Sequence, residues 1–166
     1  MYYHITQAEE DKELLYDLVK EFEKYRHKNG GYIEWYKGEG DTPAPIVGGE
    51  GSLLTEKGIP IVDNLYTANW LSVGFIQAYL VTGDKYFFDL WRDIVKYYKN
   101  TQIVSKNPQI NGAWARGNDR EIGEIYGIPN DIGWGPWSIE SGWSMGQIGS
   151  GIAMGLMSEK LLEFYR

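Results

Sequence analysis

The sequence predicts an all-α chain, and three observations carry that prediction. Apolar residues recur at helical spacing over 6–28, 63–100 and the last stretch from about 138. The connections between those stretches, 31–62 and 101–137, are rich in turn chemistry. No run shows sustained two-residue alternation beyond Tyr32–Tyr36, which could form one short strand.

The first helix is expected over 6–28, with Leu14, Leu15, Leu18, Val19 and Phe22 as its apolar stripe and Tyr25 extending it. Thr6 with Glu9 three residues on has capping-box spacing. Acids come early (Glu9, Glu10, Asp11, Glu13) and bases late (Lys24, Arg26, Lys28), as the helix dipole favours. Asn29-Gly30-Gly31 is the stop. Residues 31–62 read as a long connection rich in turn chemistry, a kind of segment that often carries a site.

From Asp63 to about Asn100 the pattern is a helical hairpin. Leu65, Ala68, Ser72, Phe75, Ile76 and Tyr79 share one face, flanked by Leu71 and Leu80, and Phe87, Trp91, Ile94, Val95 and Tyr98 share another. Between them, Gly83 can take a left-handed conformation and Asp84 can cap the following helix. So short a turn forces an antiparallel pair. Residues 101–137 form a second long connection, and a final helix from about Ser138 is expected to break near Ser158. Within it Gly142, Gly146 and Gly149 make a groove without side chains. Each glycine inside a helix costs about 1 kcal/mol relative to alanine, so a closely packed neighbour is expected along that groove.

The net charge of −7 disfavours nucleic acid, whose phosphates demand a basic face. No segment has the length and apolarity of a membrane span. With no cysteine, thiolate metal sites and a cysteine nucleophile are excluded. Two histidines, His4 and His27, lie far in sequence from the richest segment, and no HExxH, GxSxG or phosphate-loop motif occurs. Neither a metal nor a cofactor is expected. The compartment is left open.

The richest segment is 111–143. It holds four of the seven tryptophans (Trp114, Trp134, Trp137 and Trp143), five carboxylates (Asp119, Glu121, Glu124, Asp131 and Glu140) and seven glycines. A pyranose ring packs its C–H face on an indole, while its hydroxyls call for directional partners such as Asp, Glu, Asn and Arg. Hydrolysis of a glycosidic bond would further require two carboxyls in different protonation states. The candidate catalytic residues are Asp131, Glu140, Asp119 and Glu124. The candidate substrate-binding residues are Trp114, Arg116, Tyr126, Trp134, Trp137 and Trp143. Each also has a plain structural reading: an indole in the core, Glu140 as a favourable charge in a first helical turn, Arg116 paired with Asp119.

Three stretches, Asp63–Trp70, Gly112–Arg116 and Asn130–Trp143, resemble the (α/α) toroid proteins of the six-hairpin glycosidase type over about residues 63–157. The resemblance implies helical hairpins set in a ring, with long loops at one end forming a carbohydrate cleft. It implies an oligo- or polysaccharide partner, met by hydrolysis, elimination or epimerisation. A complete ring needs roughly a dozen helices, so 166 residues would be one helical domain forming part of a toroid, self-associating or joined to the remainder. Two other readings stay open: a non-catalytic helical module that binds glycan or completes another subunit, and an all-α scaffold tied together by its Trp/Gly segment.

Overall fold

The computed structural model describes residues 2–32, 61–64, 68–119, 123–125, 139 and 143–165. It is mainly helical. Among the described residues, six helices, α1 (Tyr2–Thr6), α2 (Glu9–Glu23), α3 (Ala68–Thr82), α4 (Lys85–Thr101), α5 (Trp143–Leu156) and α6 (Ser158–Tyr165), are joined by one short ribbon. Its strands are β1 (Ile61–Asp63) and β2 (Gly117–Asp119). They pair antiparallel in the register Ile61↔Asp119, Val62↔Asn118 and Asp63↔Gly117. The ribbon is a departure from the all-helical expectation, and it occupies Asp63, where a helix was expected to open. Three residues per strand are too few to display an alternating pattern.

The α3–α4 connection follows the local chemistry of its residues. Gly83 sits at φ 71°, and the Asp84 carboxylate accepts the Tyr86 N–H at 2.8 Å. Tyr79 and Phe88 meet near this turn, while the Tyr98 hydroxyl near the end of α4 donates to the Ala68 carbonyl at the start of α3. The two helices therefore run in opposite senses. Ala68, Ser72, Phe75 and Ile76 on one side, and Phe87, Trp91, Ile94 and Tyr98 on the other, are buried.

α5 runs in the same sense as α3. Met145, near its start, lies at Trp114 beside Tyr98, whereas Gly155, near its end, lies on Trp91. The glycine groove expected along 142, 146 and 149 is corrected by the structure. A Cβ at Gly146 or Gly149 would meet nothing within 4 Å, and Gly142 lies outside the described residues. Close packing uses the opposite row. A Cβ at Gly151 would come within 2.7 Å of the Ser72 Cβ, and one at Gly155 would fall inside 3 Å of three atoms of the Trp91 indole. Trp91 also donates its ring N–H to the Gly151 carbonyl at 2.8 Å. With Ile148 fully buried, the row 148, 151, 155 is the face that seats α5. The described helix runs Trp143–Leu156, Ile139 is not helical, Ser138 lies outside the described residues, and Met157 alone separates α5 from α6.

The N-terminal helix is also corrected. Gln7 adopts φ 53°, which separates α1 from α2, and Ala8 stands at the N-cap without a side-chain bond. Thr6 instead accepts the Ala8 N–H at 3.2 Å and donates to Asp11. α2 ends at Glu23, five residues short of expectation, and Gly30 at φ 90° serves the following turn. Its buried side is rotated from the leucine stripe. Val19 is buried and Leu15 and Tyr16 pack on the core, whereas Leu14, Leu18 and Phe22 are exposed. Polar partners on α4 set this rotation. Tyr16 donates to Asp84, Tyr86 donates to Glu23 at 2.6 Å, and Arg26 pairs with Asp93 at 2.6 Å. These contacts advance together along both helices, so α2 runs in the same sense as α4. Tyr32 forms an isolated bridge with Arg26, and the rest of the strand expected at 32–36 lies outside the described residues.

Candidate functional site

The segment that follows α4 is folded against the end of the bundle where α3 and α5 begin. Residues 103–113 make a closed excursion: the Ile103 N–H donates to the Ala113 carbonyl and the Gly112 N–H to the Ile103 carbonyl, each at 2.8 Å. The Gln102 side chain adds a bond to the Gly112 carbonyl at 2.8 Å. Gly112 at φ 85° permits the return. The excursion delivers the chain back to the C-terminal end of α4, where Trp114 enters the core.

Trp114 is 8% exposed; its ring N–H donates to the Tyr98 carbonyl at 2.7 Å, and its ring stands edge-on to Tyr98. Sugar stacking needs an open indole face, and this indole is largely spent on the core. Arg116 is 1% exposed and sits just before the ribbon. Both residues, expected to line a cleft, are buried in the structure.

A buried polar node joins this segment to Asn64. The Asn64 N–H donates to the Arg116 carbonyl at 2.7 Å. The Asn64 side-chain NH₂ donates to the Ala115 carbonyl at 2.9 Å and to the Asn118 side-chain oxygen at 2.7 Å. The Tyr97 hydroxyl approaches the same Asn118 oxygen at 3.4 Å, and the Asn118 NH₂ donates to the Gly123 carbonyl at 2.9 Å. Asn64 and Asn118 are essentially inaccessible to solvent. An unmade hydrogen bond in such a place is costly, so these amides hold one arrangement of the backbone. Beyond the node, the Asp119 N–H donates to the Glu124 carbonyl at 2.8 Å and the Gly123 N–H donates to the Asp119 carbonyl at 3.0 Å. The backbones of Asp119 and Glu124 are thus joined, with Asp119 half-buried and Glu124 exposed.

Tyr126, Asp131, Trp134, Trp137 and Glu140 lie outside the described residues, and Trp143 is described as the first residue of α5 by its backbone alone. Sequence reasoning passed over Asn64, Tyr97 and Asn118. Asn64 reads as part of a helix-opening stretch, and Asn118 as one more turn former among Gly117 and Asp119. Only the pairing of β1 with β2 makes them neighbours.

Electrostatics elsewhere concern the α2–α4 seam. Burial raises the Tyr16 hydroxyl to about 12, with the Asp84 carboxylate adding to the shift. Bonds from the Tyr16 hydroxyl and the Tyr86 N–H in turn lower Asp84 below the usual carboxylate range. Burial, then the bond to Glu23, raises Tyr86, and full burial raises Tyr98. These groups are committed to packing. Among the described residues, no three histidine or acidic side chains converge as a metal site would require, and no helix is long and apolar enough to cross a membrane. Compared with known protein families, curated proteins and solved structures, the chain matches none.

Proposed function

We propose that this chain is a helical sector of a carbohydrate-active protein of the six-hairpin (α/α) toroid kind, with residues 111–143 forming the wall of a saccharide cleft. One observation carries the reading. α2 and α4 run one way, α3 and α5 the other, and both long connections, 24–67 and 102–142, leave from the end where α3 and α5 begin. The opposite end has the two-residue turn Gly83-Asp84. Two antiparallel layers with long loops on one rim would suit a ring of hairpins that presents its site on that rim.

In this reading Asp131 and Glu140 are the acid and base, with Asp119 and Glu124 as the other carboxylates within reach of the cleft. Trp134, Trp137, Trp143 and Tyr126 offer ring faces to the sugar. Trp114 and Arg116 act from below, holding the loop to α4 and the ribbon. The reaction would be glycoside hydrolysis or a related step on a polysaccharide.

A thermal-shift series with neutral and uronic-acid oligosaccharides tests binding, since a ligand held only by the folded chain raises its melting temperature. Turnover in Asp131→Asn and Glu140→Gln tests chemistry. The reading expects a ligand-dependent rise and loss of turnover with folding intact. No rise with any saccharide would overturn it.

A second reading is favoured by the exposed apolar residues Leu14, Leu18 and Phe22 on α2 and Leu156, Met157 and Phe164 at α5–α6. In it the chain is a non-catalytic module whose helices are completed by another copy or by the remainder of a ring. Sedimentation at micromolar concentration separates the two, because a monomer at that concentration speaks against association.

A further inference from the structure

The structure describes three tryptophan side chains, and two of them behave alike. Trp91 and Trp114 are buried, and each donates its ring N–H to a backbone carbonyl. Trp70 is 55% exposed. It stands in the first turn of α3, at the rim from which both long connections leave. Tryptophan is strongly buried on average, so an open indole on a helix that supplies much of the core calls for a reason.

Trp70, Gly74 and Gln77 stand at i, i+4 and i+7, a single helical face. It lies opposite the side of α3 that buries Ala68, Ser72, Phe75 and Ile76. Gly74 is exposed, and a Cβ there would meet nothing within 4 Å. Glycine inside a helix destabilises it relative to alanine, and close packing does not account for this one. Helical side chains lean toward the N-terminus, so a side chain at position 74 would cover the helix surface on the side of Trp70. Glycine leaves that surface as a shelf beside the indole, with Gln77 one turn further along.

The face is also without charge. α3 carries no acidic or basic residue along its fifteen positions. α5, packed on α3 through Gly151 and Ser72, carries none either, and a Cβ at its Gly146 or Gly149 would likewise meet nothing within 4 Å. A sugar acid would find no cation on either helix. A neutral pyranose needs none, because its C–H face packs on an indole and its hydroxyls exchange hydrogen bonds with an amide.

We propose that Trp70, Gly74 and Gln77 form a stacking subsite for one neutral pyranose unit. The indole is the platform, the glycine makes room for the sugar ring, and the Gln77 amide meets a hydroxyl. The inference rests on the saccharide reading of residues 111–143 and narrows it to neutral glycans.

The test is calorimetric titration of the full chain with cellohexaose, mannohexaose and tri-galacturonate, with helical circular dichroism as the check on folding. The expected result is saturable binding of a neutral hexasaccharide. Trp70→Ala should weaken it about tenfold, and Trp70→Phe, which keeps a ring, should lose less. Gly74→Gln should also weaken binding while the melting temperature holds or rises, since its Cβ meets no neighbour and glutamine is the better helix former. Phe164→Ala, which removes an exposed ring on α6, should bind like the parent. Unchanged affinity in Trp70→Ala, or binding of tri-galacturonate alone, would overturn the subsite and leave the saccharide reading standing. No binding of any of the three would overturn the subsite too, and the thermal-shift series decides the wider reading separately.

Discussion

Replacing Gly155 by alanine adds one methyl group at a place where the neighbour cannot yield. The new Cβ would fall inside 3 Å of three atoms of the Trp91 indole. Trp91 is 6% exposed and anchored by its N–H bond to the Gly151 carbonyl at 2.8 Å, so the ring has no free space to rotate into. Overpacking of this kind costs about 1–3 kcal/mol. A displaced indole that loses its bond adds about 1–3 kcal/mol. The better helix propensity of alanine returns about 1 kcal/mol. The net expectation is a loss of about 1–5 kcal/mol. Gly149→Ala on the same helix meets nothing within 4 Å and keeps only the propensity gain of about 1 kcal/mol. Two chemically identical substitutions should therefore differ in sign and by about 2–6 kcal/mol, from the sum of those two estimates. Urea unfolding followed by helical circular dichroism reads both, and near this chain length each kcal/mol moves the melting temperature by about 2–4 °C. Equal stabilities for the two variants would refute the assignment of 148, 151 and 155 as the packed row.

The tyrosines of the helical interface make stability fall in alkali. Tyr16 is raised to about 12 and Tyr86 and Tyr98 are raised as well, so the protonated hydroxyls favour the folded chain. That stabilisation is whole below the unfolded value of about 10 and disappears as pH climbs through the folded values. A melting temperature that stays flat between about pH 10 and pH 12 would contradict it. Asp84 has the opposite sign: its lowered folded value stabilises the chain above about pH 4, and this is lost as acid protonates it; Tyr16→Phe should flatten that acid limb. Asn64→Ala removes the donor to the Ala115 carbonyl and to Asn118 in a buried place, and about 1–3 kcal/mol should go with it. A change within about 0.5 kcal/mol in urea unfolding would show the node to be dispensable.

The sequence by itself determined the helical class, the turn at Gly83 and Asp84, the glycine turn after Asn29, and the break beside Ser158. Each depends on chemistry spanning a few residues: a cap, a left-handed φ, an apolar period. Tertiary structure alone decided which side of a helix meets a neighbour. On α5 two glycine rows have similar spacing, yet only Gly151 and Gly155 face Ser72 and Trp91. On α2 the leucine stripe promised one buried side, but Tyr16, Glu23 and Arg26 found partners on α4 and turned it. The candidate site divides the same way. Its richness in indoles and acids is legible in 111–143, whereas the burial of Trp114 and Arg116 and the Asn64–Asn118 node follow from a ribbon joining positions over fifty residues apart, a contact no local pattern encodes.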